Sequence, residues 1–186
     1  MRKNLKPNPH IAPMPVLIVG SYGRDGTPDA MNAAWGTACD YNQICIFMAK
    51  EHKSYENIML KKEFTVSLAD RANLVPADYV GVVSATKVPD KVAKTGWTVE
   101  KAPHVDAPLF AQLPFTMECR LVSFDEETEA LIGEIVNISA DEAILDENGR
   151  VDVNKFRPLC YIPFNNSYMT LGETAGKAFS AGLALK

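Results

Sequence analysis

The chain has 186 residues, 47% hydrophobic and 23% charged, which is the composition of an ordinary globular domain that buries its own core. Its formal net charge of −4 argues against a general electrostatic contact with nucleic acid or with an anionic membrane surface. Because no apolar run approaches the ~20 residues that cross a bilayer and no signal-peptide core follows the N-terminus, we expect a cytoplasmic protein without a membrane segment.

The first half of the chain predicts four strands, over residues 15–22, 29–35, 43–48 and 63–68. The first two form a hairpin, because Asp25-Gly26 between them is a strong tight-turn signal. After the third strand, Ser54 is a good N-cap for a short helix over residues 55–61. Asn73 is the corresponding cap for a second helix that continues to Ser84.

The second half predicts further antiparallel strands over residues 113–121, 129–138, 158–162 and 168–171, and a small helix over 173–179. Apolar and polar residues alternate within 113–121, so this strand should have one face in water. Residues 86–107 combine prolines with lysines and predict a long exposed loop. The fold class is therefore mainly β: one domain over 1–186, an antiparallel barrel with short flanking helices and peripheral tails at 1–12 and 183–186.

A cluster of polar and charged side chains surrounds the predicted start of the first helix: Lys50, His52, Lys53 and Ser54. A hydroxyl cap beside a cation at a helix N-terminus is a sound phosphate site. Small residues next to Trp35, in the predicted strand 29–35, would let a flat ring approach the main chain. The two segments together therefore suggest a phosphorylated planar cofactor. A second interpretation stays open from spacing alone: Ser54 only caps its helix, the charges are solvated, and Trp35 belongs to the core.

Other common catalytic motifs are missing from the sequence. The glycines of Gly20-x-x-Gly23-x-x-Gly26 lie in a predicted hairpin with no helix after them, which disfavours a dinucleotide-binding Rossmann fold. The four cysteines form no Cys-x-x-Cys pair, so no metal site is predicted; those at 45, 119 and 160 are interpreted as buried thiols, and Cys39 as the more exposed one. The histidines at 10 and 104 have no acid at useful spacing and are interpreted as surface residues.

Several short segments follow one another in a specific order: Pro15–Val19, Asp25-Gly26, Ala30–Trp35, Lys50–Ser54, Asp78–Ser84, Gly133–Val136 and the tail Tyr168–Phe179. This order resembles flavoredoxin and its flavin reductase-like relatives, and the resemblance covers about residues 11–182. It implies an FMN-binding split barrel, usually a homodimer with one flavin near each end of the subunit interface.

The resemblance also implies which residues hold the flavin. The isoalloxazine and ribityl chain would lie along four consecutive residues: Asn32, Ala33, Ala34 and Trp35. The phosphate would lie near Lys50, His52, Lys53 and Ser54. Lys91, in the loop after the second predicted helix, is a further candidate that would serve the partner subunit's flavin.

The function implied by the resemblance is that of an FMN-dependent oxidoreductase. It would pass hydride or electrons through bound FMN to a small-molecule or protein acceptor, with NADH or NADPH as a candidate donor. Because the flavin performs the redox step, no side chain is predicted as a catalytic acid or base. The alternatives are a non-catalytic FMN electron carrier or sensor, and a related split-barrel oxidase that acts on another phosphorylated ring such as a vitamin B6 vitamer.

Overall fold

The computed structural model describes residues 1–185, which contain twelve strands and three α-helices. The strands are β1 (Met14–Pro15), β2 (Leu17–Tyr22), β3 (Pro28–Ala33), β4 (Gly36–Asp40), β5 (Gln43–Phe47), β6 (Glu63–Leu68), β7 (Val99–Lys101), β8 (Pro108–Phe110), β9 (Phe115–Phe124), β10 (Ala130–Ala140), β11 (Leu159–Ile162) and β12 (Ser167–Thr170). The helices are α1 (Lys53–Lys61), α2 (Leu74–Val82) and α3 (Val153–Phe156). Within the described residues, no helix is long and apolar enough to cross a membrane.

Seven of these strands form one antiparallel sheet in the order β3-β2-β6-β9-β10-β5-β4. The two edge strands, β3 and β4, are separated in the chain by only Ala34 and Trp35. The sheet must therefore curl until its edges approach each other, and the Phe47 amide donates a hydrogen bond of 2.8 Å to the Trp35 carbonyl beside this gap. The mainly β, antiparallel fold class is confirmed, and the split in the barrel lies beside Trp35.

Strand β2 is buried on both faces, because it separates two apolar cores. Leu17 and Val19 belong to the barrel interior, while Val16 and Ile18 pack on the outer side, where α2 and the segment after it cover the sheet. At the predicted hairpin turn, Gly26 adopts a left-handed backbone with φ of 83°, as the turn signal requires. The resulting hairpin brings β3 to the edge of the sheet, where Met31 and Ala33 pack into the barrel interior and Ala30 packs into the outer core.

The segment over residues 86–107 is not the exposed loop that its prolines and lysines predicted. Val92, Trp97 and Val105 are buried, and β7 pairs with β8 as a separate hairpin. Trp97 Nε1 also donates a hydrogen bond of 2.9 Å to Asn73 Oδ1, which ties the segment to the start of α2. The prediction was wrong because turn-forming residues report local backbone preference, whereas burial here depends on distant strands.

The polar face predicted for β9 reaches water at Arg120 but is covered over most of its length. Thr116 and Glu118 are buried, because residues 102–108 cover this face. Glu118 accepts hydrogen bonds from the His104 amide and Asn137 Nδ2, each at 2.7 Å, and lies 3.0 Å from His104 Nδ1. His104 is half-exposed, but it does have an acidic partner, Glu118. The spacing of the two residues in the sequence could not reveal this contact.

Smaller differences concern helix ends and short strands. Strand β4 was not predicted, α2 ends at Val82 instead of Ser84, and the helix predicted over 173–179 does not form. Asn73 occupies the N-cap position of α2, but its side chain makes no capping hydrogen bond and instead contacts Asp70 and Gln112. Asp70 instead caps the short 3-10 turn Arg71–Asn73 that leads into α2, and accepts from the Asn73 amide at 3.0 Å.

Candidate functional site

A groove runs along the edge strand β3 from the first turn of α1 to Trp35. It consists of three adjoining cavities of about 160, 320 and 490 Å³. The first and second share Asn32, Gly81 and Val82, and the second and third share Ala34. We call these three neighbouring cavities together the β3 groove, and its two ends the α1 end and the Trp35 end. Because the three cavities follow one another, their arrangement suits an elongated ligand better than a compact one.

At the α1 end, the helix begins without a side-chain cap. His52 is the N-cap residue, has an extended backbone and makes no capping hydrogen bond. The first backbone N–H groups of an α-helix have no acceptor within the helix. They are therefore available to an anionic ligand, with the favourable helix dipole behind them.

Ser54 is not the N-cap that its sequence position predicted. It lies inside the first turn of α1, is 2% exposed, and donates a hydrogen bond of 2.6 Å to Asp29 Oδ2. A serine hydroxyl has one proton to donate. Since that proton goes to Asp29, Ser54 has none left for a phosphate, and donors at this end come from the main chain and from His52 and Lys53.

Two of the three predicted lysines line the α1 end of the groove, and the third does not. Lys53 lines the α1 end and forms an ion pair of 2.8 Å with Glu56. Lys91 lines the same cavity but is 3% exposed, with its ammonium 3.2 Å from Asp29 Oδ1. Lys50 is not among the groove-lining residues: it contacts Glu126 at 3.0 Å, and this hydrogen bond raises the pKa of Lys50.

The residues predicted to contact a flat ring divide between the groove and the core. Asn32 and Ala34 line the groove, whereas Ala33 packs into the barrel interior, as the alternation of a strand requires. Asn32 Nδ2 donates a hydrogen bond of 3.0 Å to the Ala77 carbonyl of α2, which holds the amide at mid-groove. Trp35 is 55% exposed, so the interpretation of Trp35 as a core residue is wrong.

Two tyrosines complete the middle of the groove, and no local sequence pattern predicted either of them as a site residue. Tyr161 and Tyr168 come from β11 and β12, and their ring centroids lie 6.1 Å apart. Tyr168 donates a hydrogen bond of 2.8 Å to Asp78 Oδ1. Burial first, and then this bond, raise the pKa of Tyr168 to about 12, so its hydroxyl stays protonated at neutral pH.

Residues 10–171, most of the chain, match the sequence model of the flavin reductase like domain. The chain belongs to the flavin reductase-like family. Its structure is also similar to flavoredoxin of Desulfovibrio vulgaris (Miyazaki F), with 36% identity, a TM-score of 0.93, and coverage of 98% of this chain and 100% of that one. The flavoredoxin from Methanosarcina acetivorans is 28% identical with a TM-score of 0.89, and both chains are covered completely.

A more distant structure supports the fold alone. The FMN-binding domain of a flavin reductases-like enzyme from Shewanella baltica is 22% identical with a TM-score of 0.79, over 88% of each chain. This chain spans about half the length of the two curated relatives that it matches, proteins of Aquifex aeolicus and Aeropyrum pernix, with 54% and 57% of their sequences aligned. The predicted family and its split barrel are thus confirmed, whereas the residues assigned to the flavin stay predictions.

Proposed function

We propose that this protein binds FMN in the β3 groove and is an FMN-dependent oxidoreductase of flavoredoxin or flavin reductase type. One observation carries the proposal: three neighbouring cavities lie between an uncapped helix N-terminus and an exposed tryptophan. FMN has the matching polarity, with a phosphate at one end and an aromatic ring system at the other. The likeness to two flavoredoxins supports the same cofactor.

The residues present fit FMN at both ends. At the α1 end, the free N–H groups of the first turn, together with His52 and Lys53, suit a phosphate. At the Trp35 end, the exposed indole stands next to Ala34, whose small side chain leaves a ring system room to stack. The Asn32 amide suits the polar chain between these two ends.

Bound FMN would supply the redox chemistry, since a flavin accepts a hydride or single electrons. The chain's own residues would bind and orient it: α1 at the phosphate, Asn32 at mid-groove and Trp35 beside the ring. The groove is open to solvent in the single chain, so a nicotinamide donor, a small acceptor or a protein partner could approach the ring from the side that a second copy leaves uncovered. We propose NADH or NADPH as donor, since the chain belongs to the flavin reductase-like family.

We further propose that the protein is a homodimer. Several large apolar side chains are exposed around the Trp35 end, including Ile11 at 71%, Trp35 at 55% and Phe47 at 45%. Contiguous exposed apolar residues are typical of an interaction surface. A second copy would cover them and enclose the Trp35 end of the groove. Sedimentation velocity should give a dimer, and a monomer at micromolar concentration would contradict this proposal.

The cofactor is tested by reconstitution and anaerobic reduction. The purified protein is incubated with FMN, freed of unbound flavin, and its absorption spectrum recorded; we expect one FMN per chain. NADH, NADPH and dithionite are then added in turn without oxygen. Bleaching of the flavin bands by a nicotinamide supports a reductase, and bleaching by dithionite alone supports an electron carrier. Failure to retain FMN would overturn the proposal.

A further inference from the structure

Two opposite charges are buried together at the α1 end of the β3 groove. Asp29 of β3 and Lys91 are each 3% exposed, and Lys91 Nζ lies 3.2 Å from Asp29 Oδ1. Both side chains line the cavity of about 160 Å³ into which the first turn of α1 opens. The groove therefore contains a buried cation and a buried anion where a phosphate is proposed to bind.

The remaining polar atoms of this pair are held by two helices. Asp29 Oδ2 accepts the hydroxyl proton of Ser54, at 2.6 Å. Lys91 Nζ donates to the carbonyls of Val80 and Val83, at 3.1 and 2.9 Å, where α2 ends. In the described part of the chain no hydrogen bond reaches Asp29 Oδ1, so Lys91 faces that oxygen as a charge and not as an aligned donor.

The pair has no net charge, and this limits what Lys91 can contribute to an anionic ligand. A buried ammonium by itself would attract a phosphate strongly, because charges interact more strongly away from water. A carboxylate 3.2 Å away offsets most of that attraction. The residue that decides the net charge beneath the phosphate is therefore Asp29 as much as Lys91.

We propose that Asp29 is a specificity-determining residue. Its negative charge limits how much more tightly the groove binds a phosphorylated flavin than the same flavin without its phosphate. The inference rests on the proposed function. Asp29 touches Ser54 and Lys91 and acts on the phosphate through its charge. FMN and riboflavin share the ring and the ribityl chain and differ in the phosphate, so their affinities separate this effect from ring binding.

The direction in which each substitution changes the FMN affinity follows from the net charge that it leaves at the buried pair. Asp29→Asn keeps an acceptor for Ser54 and leaves Lys91 without a counter-charge, so FMN should bind at least about tenfold more tightly. Lys91→Met leaves the Asp29 carboxylate uncompensated, so FMN should bind at least about tenfold more weakly. The double variant restores neutrality and should bind FMN about as the wild type does. Riboflavin affinity should change by less than about twofold in all three.

The experiment is a flavin titration followed by fluorescence quenching, at low and at high salt, with both ligands and all variants. Asp90→Asn is the matched control, because it removes the same charge from an exposed ion pair with Lys94 and should leave both affinities unchanged. Thermal unfolding without flavin shows which variants are folded. If Lys91→Met does not fold, Asp29→Asn and the double variant still decide the outcome.

Two results would overturn the inference alone: weaker or unchanged FMN binding in Asp29→Asn, or parallel changes for FMN and riboflavin. Either result would mean that the pair only supports the local structure. A wild-type protein that binds neither flavin would instead overturn the proposed function, and this inference with it. Tighter FMN binding with unchanged riboflavin binding supports the inference.

Discussion

The hydroxyl of Ser54 donates a hydrogen bond of 2.6 Å to the carboxylate of Asp29, and both residues are at least 97% buried. This bond joins the first turn of α1 to the edge strand β3, whose residues line the α1 end and the middle of the groove. The same carboxylate faces the Lys91 ammonium, so one small network connects β3 with the beginning of α1 and the end of α2. The position of the uncapped helix start therefore depends on a contact that is not itself available to a ligand.

Replacing Ser54 with alanine should destabilise the fold. The substitution removes a buried hydrogen bond to a charged acceptor, which costs about 1–3 kcal/mol. Urea denaturation should show this as a lower free energy of unfolding. Ser123→Ala, at an exposed position, is the control and should change it by less than about 0.5 kcal/mol. Equal stability of the two variants would contradict the importance of the Asp29 contact.

Replacing Trp35 with alanine should weaken FMN binding without destabilising the protein. The indole is 55% exposed, so its removal leaves no large cavity, while a stacking partner worth about 1–3 kcal/mol is lost. A flavin titration should give an affinity about tenfold lower. Phe179→Ala removes another exposed ring, outside the groove, and should have no effect. Unchanged affinity in Trp35→Ala would argue against ring binding at this end.

Replacing Glu118 with glutamine should reduce the dependence of stability on acid pH. Burial would raise the pKa of Glu118, but hydrogen bonds from Asn137 and His104 outweigh it and hold the pKa below its ordinary value of 4.5. A carboxyl with a lowered pKa in the folded state stabilises the protein above the unfolded pKa, and that stability is lost as the pH falls through the folded value. Glutamine does not titrate, so this loss should disappear.

This prediction is tested by measuring the urea concentration at the midpoint of unfolding, as a function of pH, for the wild type and for Glu118→Gln. The wild type should lose more stability than Glu118→Gln on going from neutral to acid pH. Glu147→Gln is the control, since Glu147 is exposed on a turn and should leave the wild-type profile unchanged. Parallel profiles for Glu118→Gln and the wild type would show that Glu118 does not contribute to acid sensitivity.

Replacing Gly133 with alanine should destabilise the barrel. Gly133 lies in β10 beside a register shift with β9, and a Cβ at this position would overlap the Phe64 ring. Overpacking of this kind costs about 1–3 kcal/mol, because neither the buried ring nor the backbone can move freely. Gly172→Ala meets no atom within 4 Å and should be tolerated. A denaturation midpoint equal in both variants would contradict this account.

Cys39 should be the one thiol that reacts rapidly in the folded protein. It is exposed, whereas Cys45 and Cys119 are buried and Cys160 is partly buried. Burial raises the pKa of Cys119 to about 12, which keeps it in the unreactive thiol form. Titration with a coloured disulfide reagent should show one fast thiol in the native state and four after unfolding. Cys39→Ser should remove the fast phase, and its persistence would contradict the assignment.

The sequence predicted the strands of the barrel and the hairpin turn at Asp25-Gly26 well, because alternation and turn chemistry act over a few residues. It also located the start of α1 to within two residues. It misjudged the segment 86–107 and the polar face of β9, because each becomes buried through contact with a distant part of the chain. Strand β4 was missed since its residues are mostly exposed and follow β3 with almost no connection.

The candidate site shows the same division between features set by local sequence patterns and features set by contacts between distant residues. By itself, the sequence determined the family, the curled antiparallel barrel and the two short segments that border the groove, because these depend on local patterns and their order. Only the tertiary structure decided that Trp35 is exposed and that Lys50 pairs with Glu126 outside the groove. It also decided that the Ser54 hydroxyl donates its hydrogen bond to Asp29. Those outcomes depend on which side chains from separate elements reach one another, and on how much water remains between them.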